Sequence, residues 1–188
     1  MESFLISLST VAVAEMGDRT QLLSLMLAAR FRRPWPILAG VLCATLANHA
    51  VAAFVGQRLG HALTPQILDA VVGISMTAMS LWTLKPDSLD EAAAGGSHRG
   101  AFLATLVTFF IAEIGDKTQI ATVALAAAYP NLLAVIAGTT TGMLLANAPV
   151  VFFGKAFSNR LPLKPIRYLA SALFLGLGVF FLVRAFAR

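Results

Sequence analysis

The sequence predicts an all-α integral membrane protein with six transmembrane helices arranged as two inverted three-helix repeats. Of its 188 residues 58% are apolar and only 12% are charged, whereas soluble domains carry about 25% charged residues. The apolar residues fall in runs that approach the roughly 20 residues needed to cross a bilayer. A charged heptapeptide, EMGDRTQ at 15–21, recurs as EIGDKTQ at 113–119, which indicates a duplicated unit.

Six apolar segments separated by proline, glycine and charged residues are the predicted membrane spans. They lie near residues 4–29, 35–57, 66–84, 101–128, 131–154 and 167–186, and are joined in order by RFRRPWP, RLGHALTPQ, KPDSLDEAAAGGSHRG, YPN and NRLPLKP. The longest connector, 85–100, is polar and glycine-containing. It is predicted to be a cytoplasmic linker between a first repeat, 1–84, and a second, 101–188.

The two predicted repeats align at an offset of 98 residues (113 − 15). At this offset Gly40 falls on Gly138 and Gly56 falls on Gly154. Because three spans is an odd number, the second repeat enters the membrane from the opposite side. Transporters built from inverted repeats form their binding site near the bilayer midplane, where the repeats meet.

The distribution of Lys and Arg between the predicted connectors gives the orientation of the chain. Nine of these residues lie on one side and three on the other, so the first side is predicted to be cytoplasmic and both termini to lie outside. The nine are Arg30, Arg32, Arg33, Lys85, Arg99, Lys155, Arg160, Lys164 and Arg167, and the three are Arg58, Arg184 and Arg188. The net charge of +5 is therefore spread along the span ends, which predicts no nucleic-acid partner.

The repeated heptapeptide places charge inside predicted spans, where each Asp, Lys or Arg costs about 2.5–3.5 kcal/mol. Glu15 and Asp18 are three residues apart and are predicted to share a helix face, as are Glu113 and Asp116. Four converging carboxylates form the oxygen ligand set that Mg²⁺, Ca²⁺ and Mn²⁺ prefer. The single cysteine, Cys43, excludes an internal disulfide and a multi-cysteine metal site, and is predicted to be a buried thiol.

Other residues of the two motifs are predicted to support the site. Arg19 and Lys117, four residues after the glutamates, are expected to neutralise them in part. The glycines between the acids permit a break in the helix that would free backbone carbonyls as further ligands. Neutral side-chain oxygens follow at Thr20, Gln21, Thr118 and Gln119, and amides lie within the second and fifth spans at Asn48 and Asn147. The two asparagines fit either a site-lining role or hydrogen bonds between helices.

This ligand set predicts a cation/proton antiporter. Buried carboxylates at short range cannot all stay ionised without a cation, so protons would take the cation's place. Competition for one site, combined with alternating access, is sufficient for exchange. The expected partners are divalent cations, protons and the lipid bilayer, with no resident cofactor and no enzymatic activity. Purely structural ion pairs, Glu15–Arg19 and Glu113–Lys117, are the alternative, and the excess of acids over bases disfavours it.

The duplicated motif resembles the signature of the Gdt-like cation/proton exchangers, formerly called uncharacterised protein family sixteen. In that signature a glutamate is followed in order by an apolar residue, a glycine, an aspartate, a lysine or arginine, and a threonine or serine. The resemblance covers essentially the whole chain, and both motif copies match at every defined position. It implies transport of Mn²⁺, and in some members Ca²⁺, against protons. The family's acidic motif residues match Glu15, Asp18, Glu113 and Asp116. With no long N-terminal targeting extension, the chain is expected to be a bacterial inner-membrane member that exports the cation.

Two other functions fit parts of the same pattern. An exporter of a cationic amino acid would also use acidic midplane residues, and an intramembrane aspartyl protease would use the two Gly-Asp pairs as a dyad. The sequence does not decide whether the transported cation is Mn²⁺ or Ca²⁺, how many protons are exchanged per cation, or in which direction transport runs. It also does not decide whether the protein forms a homo-oligomer. It also leaves open the role of His49, a histidine inside the second span.

Overall fold

The protein is all-helical in the ranges that the computed structural model describes, which are residues 1–85, 100–154 and 163–187. Eight α-helices, numbered here in chain order, occupy these ranges. They are α1 (Glu2–Glu15), α2 (Arg19–Phe31), α3 (Pro34–Ala62), α4 (Pro65–Thr83), α5 (Ala101–Glu113), α6 (Lys117–Ala128), α7 (Leu132–Phe153) and α8 (Leu163–Phe186).

Three helices in the described ranges are long and apolar enough to cross a membrane unaided: Pro34–Ala62, Leu132–Phe153 and Lys164–Phe186. They match the predicted second, fifth and sixth spans, and α4 matches the third. The largest difference is at the end of α3, which continues to Ala62 instead of stopping near residue 57. Most of the predicted linker, 86–99, and the basic residues Lys155 and Arg160 lie outside the described residues.

The first and fourth predicted spans, 4–29 and 101–128, are not continuous helices, and this corrects the prediction. Each is interrupted within its charged motif, so that α1 and α2 replace the first span while α5 and α6 replace the fourth. The interruption falls at the same place in both copies, after Glu15 and after Glu113. Both motifs are therefore turns between half-helices.

The half-helices pack mainly against long helices from the other half of the chain. Helices α1 and α2 contact α7, whereas α5 and α6 contact α3, and α4 packs along α8. Glycines allow this close approach, as they do in membrane helix pairs. A Cβ at Gly138 would meet the Phe4 carbonyl oxygen at 2.5 Å, and one at Gly40 would meet the Phe102 carbonyl oxygen at 2.8 Å. Because these two glycines correspond at the offset of 98, the same contact is made twice.

Large apolar side chains cover the outside of the molecule, as expected for a surface that faces lipid. Val51, Ile74 and Phe153 are each more than 60% exposed, which is unusual for a soluble monomer. Cys43 is also exposed. The prediction of a buried thiol is wrong, because that side of α3 faces away from the other helices.

A buried ion pair that the sequence did not reveal joins α4 to α8. The Arg184 Nε donates to Asp69 Oδ2 at 2.8 Å and a second guanidinium nitrogen contacts Oδ1, while Asp69 is fully buried. We expect Arg184→Met to lower the free energy of unfolding by about 3 kcal/mol, because the buried carboxylate of Asp69 loses the arginine that pairs with it. This is the low end of the usual range, since the Arg184 side chain remains 35% exposed.

Thermal unfolding of the detergent-solubilised protein measures this loss. The matched control is Arg58→Met, which removes an exposed arginine whose guanidinium lies over the Phe54 ring. Equal melting temperatures for the two variants would contradict a stabilising role for the Asp69–Arg184 pair.

Candidate metal site

A tight turn separates α1 from α2. Glu15 is the last residue of α1, and the Asp18 N–H donates to its carbonyl oxygen at 3.1 Å. Met16 has φ −65° and ψ 117°, and Gly17 has φ 79°. These values are those of a type II turn, whose third residue needs a positive φ and is therefore usually glycine.

The second motif forms the same turn between α5 and α6. Ile114 has φ −64° and ψ 120°, Gly115 has φ 74°, and the Asp116 N–H donates to the Glu113 carbonyl oxygen at 3.2 Å. In both motifs the glutamate thus ends one helix and the aspartate is the N-cap of the next. The prediction that each pair shares a helix face is wrong, because the two residues between the acids form a turn and no helix continues from the glutamate to the aspartate.

The glutamines of both motifs stabilise the turns. Gln21 Oε1 accepts from the Gly17 N–H at 2.8 Å, and Gln119 Oε1 accepts from the Gly115 N–H at 2.8 Å. The Gln21 amide also donates to the Ala146 carbonyl oxygen on α7 at 2.9 Å. Both side-chain oxygens therefore accept hydrogen bonds from backbone N–H groups in this structure. The sequence predicts them instead as neutral ligands of the site.

Acidic side chains from both turns meet in the interior. One carboxylate oxygen from each of Glu15, Glu113 and Asp116 lies within 4.8 Å of the others, and all three residues are buried. Each also has a buried oxygen without a hydrogen-bond partner among the described residues: Glu15 Oε1, Glu113 Oε1 and Asp116 Oδ2. Such orphaned acceptors are rare in proteins, and carboxylate oxygens are the ligand type that hard divalent cations prefer.

Threonines one residue after the bases hold the two glutamates. Thr20 Oγ1 donates to Glu15 Oε2 at 2.5 Å, and Thr118 Oγ1 donates to Glu113 Oε2 at 3.3 Å. Each hydroxyl thereby fixes one carboxylate oxygen and leaves the other free. The fourth acid, Asp18, is buried as well, and its Oδ2 accepts from the Thr20 N–H at 3.3 Å.

The two bases of the motifs form ion pairs across the two halves of the chain. The Lys117 ammonium pairs with Asp18 Oδ1. Arg19 pairs with Asp116 Oδ1 at 2.8 Å and also donates to the Ala112 carbonyl oxygen at 2.7 Å. The prediction that each base neutralises the glutamate of its own motif is wrong, because the turn removes the common helix that a four-residue spacing requires.

Each of the two asparagines forms a hydrogen bond to a residue of another helix. Asn48 Nδ2 donates to the Phe110 carbonyl oxygen at 3.0 Å, and Asn147 Oδ1 accepts from Ser24 Oγ at 2.7 Å. These contacts fit the helix-bonding alternative for Asn48 and Asn147. His49 is fully buried, and neither ring nitrogen has a hydrogen-bond partner within the described part of the chain.

Sequence reasoning missed several buried hydroxyls. Ser7, Thr10, Thr45 and Thr140 are buried and have no hydrogen-bond partner among the described residues. A signal for two of them is present in the sequence. Ser7 and Thr10 recur as Thr105 and Thr108 at the offset of 98, so each motif follows the same pair of hydroxyls.

We expect the turn at Gly115 to tolerate asparagine better than alanine. A Cβ there would meet no atom within 4 Å, so the cost of Gly115→Ala is the positive φ alone, about 1–2 kcal/mol. Asparagine adopts this region more readily. Thermal unfolding gives the order, with Gly100→Ala as the control, because Gly100 has open space around it but φ −59°. If Gly115→Ala is as stable as Gly100→Ala, the turn does not depend on glycine.

Comparison with known proteins gives one family. Residues 3–91 and 101–188 match the family model described as "Divalent cation/proton antiporter GDT1". A Vibrio cholerae protein named "Putative manganese exporter" is 52% identical over 176 residues, which are 93% of this chain and 88% of that protein. The Saccharomyces cerevisiae protein named "Divalent cation/proton antiporter GDT1" is 24% identical over 245 residues, or 99% of this chain and 85% of that protein. No solved structure gives a significant match.

Proposed function

Because the chain belongs to the GDT1 family of divalent cation/proton antiporters, we propose that it exports Mn²⁺ from a bacterial cytoplasm in exchange for protons. The family is one of transporters and not of enzymes. The observation that carries the proposal is the meeting of Glu15, Glu113 and Asp116, whose carboxylate oxygens lie within 4.8 Å of one another. These three are the proposed ion ligands, and Asp18 completes the acidic site.

Two features favour Mn²⁺ as the cargo. Carboxylate oxygens suit hard divalent cations, whereas Zn²⁺ and Cu⁺ prefer nitrogen and sulfur. The Vibrio cholerae relative, which is 52% identical, is named a manganese exporter. Ca²⁺ prefers six to eight oxygen ligands in a flexible site, so it is the second candidate.

The half-helices contribute a favourable electric field to this site. Glu15 and Glu113 end α1 and α5, and the C-terminal end of a helix carries partial negative charge. Asp18 and Asp116 occupy the N-cap positions at the positive N-terminal ends of α2 and α6. Broken membrane helices use the same arrangement to bind cations at helix C-termini in other transporters.

Charge balance supports coupling to protons. The four motif acids and two motif bases leave a net charge of −2, which one divalent cation or two protons would neutralise. Carboxylates this close and this buried cannot remain ionised without either. We therefore include a stoichiometry of two protons per cation in the proposal, which makes exchange insensitive to the membrane potential.

The proposed topology has six crossings, with α1–α2 and α5–α6 each forming one broken span. The reciprocal packing of α1 on α7 and of α5 on α3 supports two inverted repeats. The excess of Lys and Arg in three connectors supports a cytoplasmic location for them, including the 85–100 linker, and outside locations for both termini. Inverted repeats of this kind alternate access by rocking one unit against the other.

Purified protein in proteoliposomes tests the function directly. Mn²⁺ flux is measured with and without an inwardly directed proton gradient, and it should follow the size of that gradient. Clamping the membrane potential should not change the Mn²⁺ flux. Ca²⁺ in place of Mn²⁺ tests selectivity. Absence of any Mn²⁺-dependent proton movement would refute the proposal.

The two rival functions are separable in the same preparation. Lysine should not raise the melting temperature of the protein, whereas Mn²⁺ should, which distinguishes a metal site from a cationic amino acid site. An aspartyl protease needs two carboxylates that share a proton. Here Asp18 and Asp116 each pair with a base from the other half, so we expect no peptide cleavage.

A further inference from the structure

A groove away from the acidic site lies between the end of α2 and the end of α7. Its volume is about 390 Å³. Arg32 and Arg33 line it together with apolar side chains, among them Leu25, Val151 and Phe152. Both arginines are exposed, and neither forms an ion pair with a residue in the described ranges. The groove is therefore amphipathic, with cationic groups beside an apolar wall.

The fold does not require arginines at these positions. A second groove of about 260 Å³ lies at the corresponding position of the second repeat. It is lined by Ala126 and Ala127, which correspond to Ala28 and Ala29 of the first groove at the offset of 98. At the offset of 98, Arg32 and Arg33 correspond to Pro130 and Asn131, and neither of these residues is charged. The same helix-ending segment thus exists without an arginine in the second half of the chain.

Arg32 also has a strained backbone. It follows the last residue of α2 with φ 53° and ψ 30°, and it is the single non-glycine residue with positive φ in the described ranges. Glycine or asparagine is the usual residue at this helix end. A strained arginine where glycine would be cheaper points to a use for its side chain.

An exposed tryptophan indicates the depth of the groove in the membrane. Trp35 is 72% exposed, and its ring meets the Phe152 ring edge-on at 5.5 Å. Tryptophan at a span end marks the interface between headgroups and hydrocarbon. We therefore expect the two guanidiniums to lie at the level of lipid phosphates and the apolar wall to extend toward the acyl chains.

We propose that this groove binds the headgroup of an anionic phospholipid, with its phosphate on Arg32 and Arg33 and its first acyl carbons along Leu25 and Phe152. Basic pockets between membrane helices are suited to such headgroups. A free phosphate ion would gain nothing from the apolar wall. The bound lipid would connect α2, which begins at the acidic site, to α7 of the other half. The proposal does not depend on the transported ion.

Lipid binding to the purified protein tests this site without a transport assay. Native mass spectrometry, with thermal unfolding in parallel, compares phosphatidylglycerol, phosphatidylcholine and inorganic phosphate. Phosphatidylglycerol should bind and raise the melting temperature, and the double variant Arg32→Gln/Arg33→Gln should lose about tenfold or more in its affinity. The control is Arg58→Gln, which removes an exposed arginine from the other end of α3 and should keep wild-type binding.

A charge-retaining variant, Arg32→Lys/Arg33→Lys, guards against loss of fold and should keep most of the affinity. Equal binding of phosphatidylcholine, or unchanged binding by the glutamine double variant, would overturn the proposal. An equal effect of inorganic phosphate would also overturn it, since the groove would then be a site for soluble anions.

Discussion

Replacing Glu15 or Glu113 with glutamine is expected to abolish Mn²⁺-driven proton movement in proteoliposomes. Each change removes one negative charge from three clustered carboxylates, so that the site can no longer balance a divalent cation. Removing an outer partner of a metal ligand typically costs about 10–100-fold, and loss of a ligand itself should exceed that. Glutamine has nearly the same shape as glutamate, and within the described ranges the Oε2 of each glutamate accepts a hydrogen bond from one threonine hydroxyl and from no other group. Both variants should therefore remain folded.

The matched control for this prediction is Glu2→Gln. Glu2 lies on the same helix as Glu15 but is exposed, so its loss should leave the transport rate unchanged. Binding of Mn²⁺, followed as a rise in melting temperature, should disappear in the two site variants together with transport. Exchange at the wild-type rate by either Glu15→Gln or Glu113→Gln would exclude the carboxylate cluster as the transport site.

Lys117→Met is expected to lower the free energy of unfolding by about 3–5 kcal/mol, because it leaves the carboxylate of Asp18 buried without its counter-charge. Both partners of this pair are almost completely buried, with 4% and 0% of their side chains exposed. Transport should be lost as well, since the pair links the turn of one half to the turn of the other.

Thermal unfolding and transport separate these two effects. Asp18→Asn combined with Lys117→Met removes both charges, and it should recover most of the stability but not the exchange activity. Lys85→Met, at an exposed lysine beyond the end of α4, is the control for loss of a positive charge. If the single Lys117→Met variant unfolds at the wild-type temperature, the ion pair does not stabilise the fold.

Much of the architecture could be predicted because membrane helices have strong sequence signals. Long apolar runs gave the approximate bounds of α3, α4, α7 and α8, and the repeated motif gave the family, which the family-model match confirms. The glycines inside the motifs also indicated a break in the helix. The convergence of acids from both motifs followed from treating the two copies as equivalent, and three of the four acids do lie together.

The partners within the site could not be predicted from spacing. Residues three or four apart share a face only while the helix continues, and the type II turns at Gly17 and Gly115 end it. The pairing of Lys117 with Asp18 and of Arg19 with Asp116 depends on how the two halves meet, which no local pattern encodes. The Asp69–Arg184 pair was hidden for the same reason, since its members lie 115 residues apart.

The exchange of counter-charges between the halves has a consequence for synthesis of the protein. Asp18 leaves the ribosome about a hundred residues before Lys117, which at 5–20 residues per second is a delay of roughly 5–20 s. During that interval Asp18 lacks the lysine of the second half that pairs with it in the finished protein. We therefore expect the first broken span to reach its final position in the membrane only after the second half has been synthesised.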